Sequence, residues 1–267
     1  MPRLGVIGWP VRHSRSPAMF AAAFAACEME DWSYQRLPIA PDLFEQTVRA
    51  LGATGFHGAN VTIPHKQSAL AIADRASEAA RAIGAANTLT FAADGSIAAE
   101  NTDAPGLLAA IGESVTGRSA LVLGAGGSAR AAVWALLGTG AEVSVWNRTP
   151  ERAVALAEEL GARATPHPTA ADLLVNCTSV GLQRLPSEAE ALNQLAIGAD
   201  LVGSYACVID LVYRDGQTPL LAAAAATGAR TVDGLEVLVA QGALSFQSWT
   251  GRAAPLQAMR QGACIAT

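Results

Sequence analysis

Leu121-Val122-Leu123-Gly124-Ala125-Gly126-Gly127-Ser128-Ala129-Arg130 runs from a short apolar stretch into a glycine turn and then into a helical pattern. The unbroken apolar run, which begins at Ser119, is what a parallel strand covered on both faces requires. Gly124 permits the sharp turn, Gly126 lets an anion approach the backbone, and Ala129 lets the helix sit close to the strand. Backbone N–H groups at the start of such a helix are unpaired and lie at the positive end of its dipole, so they suit a pyrophosphate. An ordinary glycine turn is the bland alternative, but the strand before it, the helix after it and a next strand ending at Asn147 favour dinucleotide binding. Gly124, Ala125, Gly126, Gly127, Ser128 and Ala129 form the candidate cofactor turn.

Asp or Glu at the end of that next strand would accept hydrogen bonds from a ribose 2′-hydroxyl, but the chain reads Asn147-Arg148-Thr149 there. Arg148 suits a 2′-phosphate instead, with a hydroxyl from Thr149 and a second positive charge from Arg152 one helical turn later. NADP(H) is therefore expected rather than NAD. Solvated arginines would be the plain alternative, yet cations are disfavoured at a helix N-terminus unless an anion accompanies them.

Working outward, apolar runs alternate with helical patterns throughout. Strands are expected at residues 142–146, 173–176, 208–211 and 230–232, with helices at 128–137, 151–160 and 219–226 between them. Upstream come a strand at 4–7, a helix after Pro17, a strand near 32–37, a helix at 41–51, a strand at 58–62 and a helical stretch from 65 to 84. A hairpin about Asp94-Gly95 joins 87–91 to 97–101, and a helix starts near Asp103. A final helix, 235–249, is expected to return to the first lobe. The fold class is α/β. Its two lobes are an N-terminal α/β substrate domain, residues 1–103 completed by 235–267, and a Rossmann-type doubly wound NADP-binding domain, 104–234. A cleft should lie between them, with hinges near residues 102–106 and at Asp233-Gly234.

Composition narrows the partners. The chain has 267 residues, 51% hydrophobic and 15% charged, which excludes disorder. A net charge of -5 argues against a polyanion-binding surface, so no nucleic acid is expected. Cys27, Cys177, Cys207 and Cys264 are far apart, form no CxxC pair and read as ordinary buried thiols, so no metal is expected. The N-terminus enters a strand at once and no apolar run reaches the roughly 18 residues that span a bilayer. A soluble cytoplasmic protein, monomer or homodimer, with no membrane partner is the expectation.

In the first lobe, Gly58-Ala59-Asn60-Val61-Thr62-Ile63-Pro64-His65-Lys66 ends a strand with polar groups and starts a helix after Pro64. Asn60, Thr62 and Lys66 can share one cleft, and Asn60 and Thr62 are candidate substrate-binding residues. Asn101-Thr102-Asp103 ends another strand, where Asp103 by itself reads equally as an N-cap, and Lys66 by itself as a snorkelling surface lysine. His13 and His65 lack an acidic partner in sequence and read as structural, while Trp134, Trp146 and Trp249 read as packing residues.

These two segments resemble the GxNVTxPxK and NTD signatures of shikimate dehydrogenases. His13-Ser14-Arg15-Ser16-Pro17 is similar to that family's SxSP loop, Gly84-Ala85-Ala86-Asn87-Thr88 to its GAxNT, and Gln241-Gly242-Ala243 with Phe246 and Trp249-Thr250-Gly251 to its QGA…F…WTG. Asn176-Cys177-Thr178-Ser179-Val180-Gly181 and Asp210-Leu211-Val212-Tyr213 extend the likeness over nearly the whole chain. The resemblance implies reversible NADPH-dependent reduction of 3-dehydroshikimate to shikimate, on the route to chorismate and the aromatic amino acids. It implies that Ser14 and Ser16 bind the substrate carboxylate, that Thr62, Asn87, Lys66, Asp103 and Gln241 surround the ring hydroxyls, and that Tyr213 is nearby. Lys66 and Asp103 are the implied catalytic pair, with the proton handled by one or the other. Thr178, Ser179, Leu211 and Gly234 are the further implied cofactor contacts, and Thr178 and Ser179 read equally as a strand-end turn.

The chain departs from the family pattern at three places. Arg214-Asp215-Gly216-Gln217 stand where a proline is common, Glu236 where a small residue is usual, and Ala104 where glycine is frequent. A quinate/shikimate or aminoshikimate dehydrogenase is the enzymatic alternative, and an NADP(H)- or shikimate-sensing regulator the non-enzymatic one. Retention of both Lys66 and Asp103 speaks for the enzyme.

Overall fold

A computed structural model describes residues 1–183 and 187–265. The chain divides into two compact units: Met1–Gly106 with Leu238–Thr267, and Leu107–Val237. Residues 266 and 267, at the end of the expected C-terminal completion of the first lobe, lie outside the described residues.

In chain order, the first unit begins with β1 (Arg3–Gly8), α1 (Ser16–Ala26), β2 (Ser33–Pro38), α2 (Phe44–Leu51) and β3 (Phe56–Val61). It continues with α3 (Lys66–Ala71), β4 (Arg75–Ala76), α4 (Glu78–Ile83), β5 (Thr88–Phe91), β6 (Ile97–Glu100) and the start of α5 (Asp103–Ile111). Its sheet has the order β2-β1-β3-β5-β6-β4. β1 lies parallel to β2 and β3, and the β5–β6 hairpin adds antiparallel to β3.

Strand alternation gives this sheet two different faces. Ile7, Phe56, Ala59, Val61, Leu89 and Phe91 pack with Phe44 and Val48 of α2 and with Ala69 of α3 in one apolar cluster. The other face carries Tyr34, Asn60 and Thr88. Tyr34 stacks on Phe20 of α1 with ring centroids 4.3 Å apart.

The second unit holds β7 (Ser119–Leu123), α6 (Gly127–Gly138), β8 (Glu142–Trp146), α7 (Pro150–Leu160), β9 (Arg163–Ala164) and β10 (Leu173–Asn176). It goes on through α8 (Glu188–Gln194), α9 (Ala199–Val202), β11 (Cys207–Asp210), α10 (Pro219–Ala226) and β12 (Arg230–Val232). The sheet order is β12-β11-β10-β7-β8-β9, and every pair is parallel. Counted within the unit, this is the 3-2-1-4-5-6 arrangement of a dinucleotide-binding fold. Along β7 the residues alternate between two cores. Ala120 and Val122 join α6 and α7, while Leu121 and Leu123 join α8 and α10. Burial on both faces is why this strand had to be apolar throughout.

α11 (Gly234–Thr250) begins in the second unit and runs into the first, and α12 (Leu256–Cys264) packs on α1. Trp249 is buried, and its indole N–H donates to the Leu89 carbonyl at 3.1 Å.

Some expectations need correction. The helical stretch 65–84 is two helices separated by β4, because the Asp74 and Ser77 N–H groups donate to the Ile97 and Ala99 carbonyls at 2.9 Å each. Pairing at the edge of β6 outweighs helix propensity there. The helix 41–51 opens as a 3₁₀ turn at Pro41–Leu43. The last strand before the Tyr213 loop is Cys207–Asp210, so Leu211 already belongs to the loop. Of the cysteines expected to be buried, Cys264 is exposed and Cys27 half-buried. Among the described residues no group of His, Cys, Asp or Glu could hold a metal ion, and no helix is long and apolar enough to cross a membrane.

Candidate active site

β3 ends at Val61, a turn follows through Pro64, and α3 starts at Lys66, so the lysine sits at the first position of a helix. β6 ends at Glu100, and α5 starts at Asp103. The N–H of Ala104 is taken by Asn101 Oδ1 at 3.2 Å, which relieves Asp103 of the capping role an aspartate would otherwise fill there. Lys66 Nζ donates to Asp103 Oδ2 at 2.6 Å, with side-chain exposures of 10% and 14%. Lys66 is thus a buried ion-paired residue and not a snorkelling one. A charge-assisted bond this short, largely out of water, fixes the position of both groups.

The Asn87 amide completes the pair's surroundings. Its Nδ2 donates to Asp103 Oδ1 at 2.9 Å, to Thr102 Oγ1 at 2.9 Å and to Gln241 Oε1 at 3.1 Å, while its Oδ1 accepts from the Thr102 N–H at 2.7 Å. Behind this layer Thr88 Oγ1 and Ser245 Oγ lie 2.8 Å apart, and Ser245 Oγ is 3.2 Å from Thr102 Oγ1. Asn60 Nδ2 donates to Ser245 Oγ at 2.9 Å and to the Asn87 carbonyl at 3.2 Å, and its Oδ1 accepts from Tyr34 Oη at 2.8 Å. Asn60 therefore stands one layer behind Asn87 with its amide engaged by protein groups. Buried polar networks of this kind are rigid when fully satisfied, and no buried side-chain nitrogen or oxygen among the described residues lacks a partner.

Ser14 and Ser16 are buried at the start of α1, and the Ser16 N–H donates to Ser14 Oγ at 3.3 Å. Thr62 is half-buried just after β3, held by its N–H on the Ile7 carbonyl at 2.8 Å. His65 points away from Lys66. It stacks on Phe44 at 4.5 Å, its Nε2 is 2.8 Å from the Ile39 carbonyl, and burial holds its imidazole below the usual range. His13 is exposed beside Arg12. The first unit therefore gathers Asn60, Lys66, Asn87, Asp103 and Gln241 into one hydrogen-bonded set, with Ser14, Ser16 and Thr62 on the same unit outside it.

In the second unit the turn after β7 and the turn after β10 lie side by side, where the sheet's strand order reverses. Ligands of open parallel sheets bind at this position. Gly124 has φ +110°, and a Cβ there would lie 3.3 Å from the Cys177 carbonyl and 3.5 Å from Thr178 Cγ2. Gly126 caps α6 with extended backbone and no side-chain bond. Arg148, Thr149 and Arg152 are exposed, and neither arginine meets a carboxylate among the described residues. Asn147 is occupied locally, its Nδ2 donating to the Thr149 carbonyl at 2.9 Å.

Thr178 is positioned by Asn176, whose Oδ1 accepts from the Thr178 N–H at 3.0 Å and from its hydroxyl at 2.7 Å, and Ser179 beside it is exposed. Asn176 in turn donates to Asp210 Oδ1 at 2.8 Å, and Asp210 Oδ2 accepts from Thr218 Oγ1 at 2.7 Å. Burial pushes the Asp210 carboxyl up to about 6, with Asp233 adding to the shift and the Thr218, Val212 and Asn176 hydrogen bonds opposing it. Gly234 is pressed against the loop after β11, since a Cβ there would lie 2.6 Å from the Leu211 carbonyl and 2.7 Å from that of Val212. Leu211 and Tyr213 are half-buried on that loop, and Glu236 is half-buried on α11.

Sequence reasoning missed Tyr34, Thr102, Ser245 and Asp210 as supporting groups. Ser245 had a signal, standing four residues after Gln241 on the same helix face. Asp210 stood in a quoted motif with no role assigned.

A parallel sheet with this glycine turn and a buried lysine–aspartate pair together define a nucleotide-dependent oxidoreductase of the two-unit α/β class. Three family profiles match the chain: "Shikimate dehydrogenase substrate binding domain" at residues 6–89, "Shikimate / quinate 5-dehydrogenase" at 107–180 and "Shikimate 5'-dehydrogenase C-terminal domain" at 234–261. The chain belongs to the shikimate dehydrogenase family. It is 44% identical to shikimate dehydrogenase (NADP(+)) of Acidiphilium cryptum over 256 residues, covering 92% of this chain and 90% of that one. It is 45% identical to the protein of the same name from Anaeromyxobacter sp. (strain K), covering 94% and 91%. Among solved structures, shikimate 5-dehydrogenase from Thermus thermophilus, in complex with NADP(H) and shikimate, superposes with a TM-score of 0.85 at 41% identity and covers 100% of both chains.

Proposed function

We propose that this chain catalyses the reversible, NADP-linked interconversion of 3-dehydroshikimate and shikimate, in the biosynthesis of chorismate and the aromatic amino acids. The observation that carries this reading is the 2.6 Å Lys66–Asp103 pair with Asn87 on the other carboxylate oxygen. A lysine ammonium has three donors, and Asp103 fixes the direction of one of them. An ammonium held in this way is suited to the oxygen of the substrate's reacting carbon, where a donor stabilises the alkoxide that forms on reduction. Asp103 holds the ammonium in place and is itself within reach of the reacting hydroxyl, so either group can take the proton in the oxidative direction.

Thr62, Asn87 and Gln241 supply directional partners for the ring hydroxyls, Ser14 and Ser16 the carboxylate subsite, and Tyr213 is assigned as a further contact. Asn60 backs this set and does not need to touch the substrate. Directional groups suit a small polyhydroxy acid because an analogue lacking a hydroxyl would leave a buried site group unpaired.

When bound, NADPH supplies the hydride. The residues present fit that cofactor: a Cβ at Gly126 would meet nothing within 4 Å, the N-terminus of α6 has no side-chain cap, and Arg148 and Arg152 carry uncompensated charge. Gly124, Ala125, Gly126, Gly127, Ser128 and Ala129 would take the pyrophosphate, and Asn147, Arg148, Thr149 and Arg152 the adenosine ribose and its phosphate. Thr178, Ser179, Leu211 and Gly234 would follow toward the nicotinamide. We assign residues 1–103 with 235–267 to the substrate and 104–234 to the cofactor. We place the protein in the cytoplasm as a monomer or homodimer, a setting with which four cysteines outside any disulfide agree.

The deciding experiment measures initial rates with shikimate and with quinate, each against NADP and NAD. Rapid NADP-linked oxidation of shikimate that disappears in Lys66→Ala supports the proposal. Preference for quinate or NAD would overturn the substrate or the Arg148 assignment, and no turnover of any pair would favour a sensor.

A further inference from the structure

We propose that Arg36 provides the permanent positive charge that selects for a carboxylate at the Ser14 and Ser16 end of the substrate. The inference rests on the assignment of those serines to the carboxylate subsite. Arg36 lies on β2, two residues from Tyr34 and therefore on the same face of the sheet. That face reaches the active-site network directly, because Tyr34 Oη donates to Asn60 Oδ1 at 2.8 Å. In register, Val6 of β1 is flanked by Arg36 on one side and Asn60 on the other. Two strand spacings put those positions roughly 10 Å apart, across which a small acid can hold its carboxylate at one end and its hydroxyls at the other.

The Arg36 guanidinium is tied to the serine loop itself. Its Nε and Nη2 both donate to the Ser14 carbonyl, at 3.2 and 2.8 Å. A carbonyl satisfies hydrogen bonds but not charge, and Arg36 meets no carboxylate within ion-pair distance among the described residues. The loop's own arginine, Arg15, is turned to the C-terminal helix, with Nη1 on the Ala263 carbonyl at 3.1 Å. A half-buried guanidinium without a carboxylate partner favours an anion beside it. The two buried serine hydroxyls give that anion directional partners, and Arg36 gives it a counter-charge.

The test compares Arg36→Gln, which can still donate to the Ser14 carbonyl, with Arg36→Lys, which keeps the charge and loses the fork. The KM for shikimate is measured from about 10 mM to about 1 M salt, a range that shortens the Debye length from about 30 to about 3 Å. We expect Arg36→Gln to raise this KM about tenfold or more at low salt, as loss of a charge-assisted contact does. In that variant kcat and the KM for NADP should stay within a few-fold, and the salt dependence should flatten. Arg36→Lys should recover most of the affinity and the salt dependence. Equal losses in both variants with unchanged salt dependence would reduce Arg36 to a brace for the loop and overturn the proposal. A flat salt profile in the unsubstituted protein would also overturn it, even if Arg36→Gln failed to fold. Failure of the underlying assignment is separately visible, since Ser16→Ala would then leave the KM for shikimate unaltered.

Discussion

Asn87 grips Asp103 from the side opposite Lys66: its Nδ2 lies 2.9 Å from Asp103 Oδ1, while Lys66 Nζ lies 2.6 Å from Oδ2. The same amide takes the Thr102 N–H at 2.7 Å, so one side chain fixes both the carboxylate and the backbone that presents it. Asn87→Ala should lower kcat with shikimate about a hundredfold, the scale of a misplaced acid–base group. It should also lower stability by about 1–3 kcal/mol, because the Thr102 N–H is left unpaired. Steady-state kinetics and a urea titration check both, and full activity at reduced stability would restrict Asn87 to holding the fold.

Lys66 and Asp103 should behave as one unit. Lys66→Ala and Asp103→Ala are each expected to cut kcat by about 10²–10⁴-fold, and the double variant by little more than the worse single one. Multiplying losses in a double-mutant cycle would show that the two act independently, against the geometry.

Cofactor choice should lie with the exposed arginines. Replacing Arg148 by Gln should raise the KM for NADP by about 10–100-fold and leave that for NAD almost unmoved, since only the 2′-phosphate loses a partner. Parallel changes for both cofactors would place Arg148 away from the phosphate.

Asp210 makes a prediction about pH. Its folded value near 6 lies above the ordinary 3.8, so the folded protein prefers the protonated acid. The stability this group contributes is fully present below the ordinary value and is lost as pH rises through about 6, on the order of 3 kcal/mol in all. Asp210→Asn removes that loss. Relative to the unsubstituted chain, the variant should therefore gain stability steadily from about pH 4 to about pH 7, above a constant offset for its rearranged hydrogen bonds. Denaturant midpoints across that range test it, and parallel curves would refute it.

The sequence was most readable where burial leaves few choices. β7 and β10 fall at the residues expected because strands buried on both faces read as apolar runs, and β8 and β12 also fall there although Glu142, Ser144, Arg230 and Thr231 interrupt theirs. The helices α8 and α9 and the two-residue strands β4 and β9 were not foreseen, being too short or too mixed for a period to show. In the site, residues inside a recognisable motif were legible. Tyr34 and Arg36 carry no local signal, and their importance rests on partners that only the folded sheet supplies. Asn60 was readable as polar and near the site, but its bond to Ser245, 185 residues away, decides which way its amide is spent.

The second unit is one unbroken run of residues, whereas the first is closed by the segment beginning at Leu238. On the ribosome the second unit is therefore fully synthesised before α12 and most of α11 have been added to the first. Until those helices arrive, Asn87 lacks Gln241, Asn60 and Thr88 lack Ser245, and Leu89 lacks the Trp249 indole. The hydrogen-bonded set around Asp103 is complete only once that returning segment has been made, and a chain lacking it would lose these bonds while keeping every residue of the glycine turn.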